Sequence, residues 1–117
     1  MMLTIRVENA GPGATDTDTV VLVGAVPADV MFYNGDIDDA GPETGSVAFL
    51  DQGSGLTCCG GAGDVAFSDG PPDVFTYVPQ AGYDPQVRFI RFNPKGAMAG
   101  NGGTPSAFEL RYRAQVR

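Results

Sequence analysis

The chain has 117 residues, 43% of them hydrophobic, and fourteen acidic against seven basic side chains give a net charge of −7. One domain of this length closes a two-layer core without metal or disulfide staples, and its acidity disfavours nucleic acid and anionic membrane as partners. The sequence holds no histidine, which removes Ser-His-Asp and Cys-His catalysis, histidine metal sites and the usual base near neutral pH.

Seventeen glycines and nine prolines, without collagen period, suit a protein with many turns. No run approaches the ~18 apolar residues of a membrane span, so no membrane insertion is expected. Met1 and Met2 lead straight into a strand pattern with no signal-peptide layout. The sequence therefore reads as a mature form, an excised domain or part of a longer product.

Leu3, Ile5 and Val7 alternate with Thr4, Arg6 and Glu8, the period of a strand with one buried face. Asn9-Ala10-Gly11-Pro12-Gly13 stops it with residues that tolerate left-handed or φ-fixed backbone. Residues 19–23 (TVVLV) predict a core strand, and a Pro27 turn leads to a third strand reaching Phe32. Asn34-Gly35 then predicts a hairpin, followed by the acidic loop DIDDAGPETG. Residues 46–50 predict a short strand and 51–64 a Gly-rich connection. Strands at 64–68 and 74–78 flank the turn-rich spacer 69–73, and 79–85 reads as loop.

Residues 86–93 and 107–117 are the clearest strands. In the last, Phe108, Leu110, Tyr112, Ala114 and Val116 are expected to face inward. Phe89 and Phe92 break alternation across Ile90, which predicts a bulge or a strand buried on both faces. Between these strands the long loop NPKGAMAGNGGTP is a candidate for mobility or contact. No segment sustains a 3.6-residue apolar period, so little or no helix is expected. Seven or eight short strands with regular turns predict an all-β antiparallel sandwich with Greek-key connections.

Ile5-x-Val7-x-Asn9-x-Gly11-Pro12-Gly13, then Val26-Pro27-Ala28-Asp29-Val30-x-Phe32, resembles the conserved-repeat domains of bacterial cell-surface proteins. The likeness continues through Ser54-Gly55-Leu56, Tyr83-Asp84-Pro85 and Asn93-Pro94-Lys95-Gly96, and so covers nearly the whole chain. It implies an immunoglobulin-like β-sandwich at the cell surface or outside the cell, in a family whose function is unassigned. Two departures stand out: Gly24 replaces the aspartate of many members, and members usually carry a further strand upstream of the first one here.

Asp36, Asp38, Asp39 and Glu43 offer hard oxygen ligands for Ca²⁺ in one loop, with Asp16 and Asp18 as additional ligands if the fold brings them near. The spacing is not that of an EF-hand, and a solvated acidic loop is the plainer expectation. Cys58-Cys59 without histidine or a second pair makes no zinc site. It leaves two free thiols, a vicinal disulfide, or bonds to a neighbouring subunit in an oxidising compartment. Lys95, the sole lysine, invites comparison with the Lys–Asn cross-links of some surface sandwiches, but its turn position favours a solvated side chain. Phe67, Phe75, Tyr77, Phe89, Phe92, Phe108 and Tyr112 are better explained as core than as a sugar-stacking face, since tryptophan is absent.

Charge is segregated along the chain. Residues 1–84 hold thirteen acids and one base, for −12, and residues 85–117 hold one acid and six bases, for +5. This suggests opposite ends that attract head to tail. Met1, Met2, Leu3, Ile5 and Val7 are apolar enough for a strand donated between copies, covering the edge that an absent first strand would leave. The expectation is a non-enzymatic extracellular structural module that self-associates, as homo-oligomer or filament subunit, beside neighbouring protein domains. The alternative is a Ca²⁺-dependent adhesive module for glycan or protein.

Overall fold

The computed structural model describes residues 1–37, 45–61 and 63–117. Its spine is the final strand, β8 (Ser106–Val116), which has strands on both edges. Along one edge β1 (Met2–Asn9) pairs antiparallel, residue for residue, from Met2↔Arg113 to Asn9↔Ser106. The other edge is shared. β4 (Val47–Gln52) takes Ala107–Tyr112, and β3 (Val30–Asn34) takes Ala114–Val116. Both run antiparallel to β8, so β3 and β4 lie end to end in one lane. β6 (Gly82–Asp84) pairs with the outer edge of β3.

The second sheet is β2 (Leu22–Ala25), β7 (Phe89–Phe92) and β5 (Val65–Ser68), antiparallel with β7 in the middle. The fold is thus an all-β antiparallel sandwich, and no helix occurs among the described residues. Phe32, Phe108 and Leu110 from the first sheet meet Ile90 and Phe92 from the second, all fully buried or nearly so. Phe32 stacks obliquely on Phe67 at 5.1 Å and on Tyr112 at 5.8 Å, tying the two inner faces together.

Every strand pairing joins strands that are not consecutive in the chain. The hairpin expected at Asn34-Gly35 is therefore corrected. Both edges of β3 are already taken, by β6 and β8, so the chain leaves, returns through Ile37 N–H donating to the Gly45 carbonyl at 2.9 Å, and resumes along β8 as β4. Residues 74–78 make no ladder strand, only a single bridge between Tyr77 and Phe67. β2 begins later than expected because the carbonyls of Asp18 and Val20 accept hydrogen bonds from the Asn93 side chain instead. Val116 has the parity of the core face but is 56% exposed, since the sheet outruns the core there. β7 alternates regularly: Ile90 and Phe92 are buried, so Phe89 points away from the core, where no bulge is required. Gly24 lies on the inner face, where a Cβ would meet Ile5 and Phe92 at 3.4 and 3.8 Å. An aspartate there would bury a carboxylate against two apolar side chains, a costly placement.

Candidate functional site

Three of the motifs that carry the resemblance, Asn9–Gly13, Ser54–Leu56 and Asn93–Gly96, meet at one end of the sandwich as loop clamps. Thr15 N–H donates to the Met98 carbonyl at 2.9 Å, and Met98 N–H returns to Thr15 Oγ1 at 2.8 Å. Asp18, at a left-handed φ of 61°, accepts from Gly96 N–H at 2.7 Å while its own N–H donates to the Gly96 carbonyl. Asn9 Nδ2 donates to the Ala99 carbonyl, and Ala99 N–H to that of Ser54. The loop after Asn93, a candidate for mobility or contact, is stitched to the 9–20 and 53–57 segments and sends Met98 into the core. These residues hold backbone to backbone.

Asp84 is fully buried and accepts three hydrogen bonds, from the Tyr77 hydroxyl at 2.6 Å, Gln80 N–H at 3.0 Å and Gln86 N–H at 2.8 Å. Burial alone would raise its carboxyl pKa, but the bonds from Tyr77, Gln86 and Gln80 outweigh that and hold it below the ordinary range. The Tyr77 phenol is pushed up to about 12, first by that bond. A carboxylate arranged this way staples the segment before β6 and is saturated.

Lys95 is likewise tied down rather than solvated. Its Nζ donates to Asn93 Oδ1 at 2.7 Å and to the Asn93 carbonyl at 3.2 Å, and lies 3.4 Å from Asp64 Oδ1. The Asp64 side chain is 5% exposed, so the ammonium neutralises a buried charge. The basic residues do not gather at one end of the molecule. Arg91 lies on β7 and Arg111 and Arg113 on β8, the middle strands of the two sheets. Arg6 on β1 bridges to Glu109 at 3.6 Å, Lys95 sits in the clamped loops, and Arg117 follows β8 at the other end and donates to the Pro85 carbonyl. The segregation along the sequence therefore does not become two opposed ends.

Of the proposed Ca²⁺ ligands, Asp38, Asp39 and Glu43 lie outside the described residues, Asp36 is half-buried, and Asp16 is exposed. The Asp18 carboxylate is engaged by Gly96. Among the described residues, no three acidic or cysteine side chains gather as a metal cluster.

Cys58 and Cys59 are bonded to each other, so the free-thiol and intersubunit alternatives give way to a vicinal disulfide. Both are half-buried against the core, and each is the only sulfhydryl partner the other has in the sequence. The disulfide walls a cleft of about 570 Å³ between β4 and β5, edge strands of the two sheets. Residues 45–49 form one side, with Val65 and Phe67 behind.

β1 is consumed along one edge by β8, so Met1, Met2, Leu3, Ile5 and Val7 sit in their own sheet. Met1 and Ala114 exchange backbone bonds in both directions. By antiparallel alternation Leu3, Ile5 and Val7 also bond to β8, and the N–H and C=O groups of Met2, Thr4, Arg6 and Glu8 point out of the sheet edge. The same alternation turns the backbone groups of Val47, Phe49 and Asp51 in β4 away from β8. No other strand pairs with β1 or β4 among the described residues.

No family model, curated protein or solved structure matches the chain. Its role is therefore argued from the geometry of these edges. The open edge of β4 was hidden from the sequence, because it depends on β3 and β4 sharing one side of β8.

Proposed function

We propose that this chain is a non-enzymatic structural module, working at the cell surface or outside the cell, that self-associates through the edge of its larger sheet. The observation that carries this is β1. Its two charges, Arg6 and Glu8, lie on the outer face, where Arg6 pairs with Glu8 and Glu109. It is an eight-residue edge strand with no proline and no bulge in its register. Natural sheets usually protect an exposed edge with such devices, and an unprotected one is a template for another chain. The Cys58–Cys59 disulfide fits an oxidising compartment, and the resemblance to surface repeat domains points the same way. The three hydrogen bonds on the Asp84 carboxylate and the Lys95 counter-ion beside Asp64 support a structural rather than a chemical role for these two buried charges.

Light scattering across a concentration series, with negative-stain electron microscopy and with or without chelator, tests the reading. Concentration-dependent assembly into regular fibres, indifferent to chelator, is expected. A monomer at every concentration would overturn it.

A further inference from the structure

Among the described residues the larger sheet lacks a strand in one defined place. Counting outward from β1, its lanes are β1, then β8, then β3 and β4 end to end, then β6. β6 fills the fourth lane only beside β3, through Phe32↔Asp84 to Asn34↔Gly82. Beside β4 that lane holds no strand among the described residues, and the cleft walled by Cys58, Cys59 and Gly60 opens there along residues 45–49. The backbone groups of Val47, Phe49 and Asp51 face this space. Val65 and Phe67 line the same cleft, so an incoming strand would meet hydrogen-bonding groups at its edge and these two apolar side chains in the cleft.

We propose that the open lane beside β4 takes the outer edge of β1 from a second copy of this chain. The proposal rests on the self-association argued above and names its contact. Three observations select this occupant. The same chain carries a second unpaired edge in the same sheet, on the opposite side of β8. β1 spans eight residues against six in β4, so it can cover the whole lane. Direction also agrees. β1 and β4 are both antiparallel to β8 and hence parallel to each other, so a copy displaced sideways without inversion presents β1 parallel to β4. A parallel ladder between them is an allowed pairing. The contact is heterologous, using different surfaces on the two partners, and does not close on itself. Repetition gives an open filament with one sheet continued from copy to copy.

Two variants test the proposal by complementation. Thr4→Pro removes an outward N–H from β1 and leaves the bonds to β8 intact, as edge positions allow. Gly60→Trp fills the cleft from a position where a Cβ meets nothing within 4 Å. Phe49→Lys, an inward charge beside the lane, serves as a second block should the tryptophan be absorbed elsewhere. Circular dichroism and thermal melts establish that each variant is folded.

By sedimentation velocity, each variant alone is expected to lose assembly and run as a monomer at concentrations where the wild type polymerises. Mixed in equal amounts, Thr4→Pro and Gly60→Trp should form a one-to-one dimer and nothing larger, because one retains the lane and the other the strand edge. Assembly of either folded variant alone, or a mixture that stays monomeric, would overturn the assignment while leaving self-association standing. A monomeric wild type would instead remove the reading beneath it.

Discussion

Tyr77 donates its phenolic proton to the buried carboxylate of Asp84 at 2.6 Å, on the segment that bridges β5 to β6. Around that bond the chain passes from one sheet to the other, and Gln80 and Gln86 close the same carboxylate from both sides. The pair has opposite consequences at the two ends of the pH scale.

At the acid end, the folded Asp84 carboxyl titrates below its ordinary value, so it contributes stability above the usual carboxylate pKa near ~4 that is lost as pH falls through the folded value. At the alkaline end, the raised Tyr77 phenol contributes stability below its ordinary 10.0 that is lost as pH rises toward about 12. Asp84→Asn places an amide where only acceptors fit and should cost about 2–3 kcal/mol at pH 7. It should also flatten the acid limb of a urea-stability curve. In an ultraviolet titration of the four tyrosines, the Tyr77 phenol should ionise near pH 12 in the wild type and at lower pH in the variant, while Tyr112, raised by its own burial, stays in place. An unchanged titration curve would refute the assignment.

Lys95→Met keeps the side-chain stem but leaves Asp64 as a buried charge without its cation. A fully buried pair broken this way loses about 3–5 kcal/mol, and the 35% exposure of the lysine side chain lowers the expectation to about 2 kcal/mol. Adding Asp64→Asn should recover part of the loss. Urea midpoints for the two single variants and the double variant measure the coupling. A loss under about 0.5 kcal/mol in the first variant would return Lys95 to the class of solvated surface residues.

The difference between Lys95 as a turn residue and Lys95 as a counter-ion shows where sequence reading stops. β1 and β8 were legible because each buries one face, and Leu3, Ile5, Val7 and Phe108, Leu110, Tyr112 record that face at period two. β6 was not, since Gly82-Tyr83-Asp84 is too short and too close to Pro85 to show a period. Residues 74–78 misled in the other direction. Val74 and Val78 look like strand residues, but they are 47% and 83% exposed and form no ladder. Asn34-Gly35 carries the local preference for a hairpin, and tertiary pairing of β3 on both edges overrides it. Of the candidate interface, the β1 side was legible in its apolar alternation, but the lane beside β4 was not, for it belongs to the relative placement of β3, β4 and β6 and not to any one segment.

The vicinal disulfide should matter little to global stability. A cross-link restricts the unfolded chain in proportion to the logarithm of the loop it closes, and Cys58 and Cys59 are adjacent. That argument gives about 1 kcal/mol, or a Tm lower by about 3–5 °C. Calorimetry with and without a reductant checks it. Unfolding on reduction would show that the bond holds the wall of the β4 cleft against the core, and not only its own loop.

Gly100 marks the closest approach between the two long loops at the clamped end of the sandwich. A Cβ there would lie 2.5 Å from the Pro12 carbonyl oxygen and 2.8 Å from its carbon, with Gly13 carbon at 2.9 Å. All three are backbone atoms and cannot rotate away, so Gly100→Ala must separate the loops and stretch the 2.8 Å bond from Asn101 N–H to the Gly11 carbonyl. The expected cost is about 2 kcal/mol, typical of forced overpacking. Gly102→Ala, two residues on, meets nothing within 4 Å and should change stability by less than about 0.5 kcal/mol. Amide exchange localises the effect: Asn101 and Thr15 should exchange faster in Gly100→Ala, while Leu110 at the centre of β8 changes only with the global stability. Equal costs for the two glycines would mean that the loops yield as a unit, and that the Pro12 contact does not set their spacing.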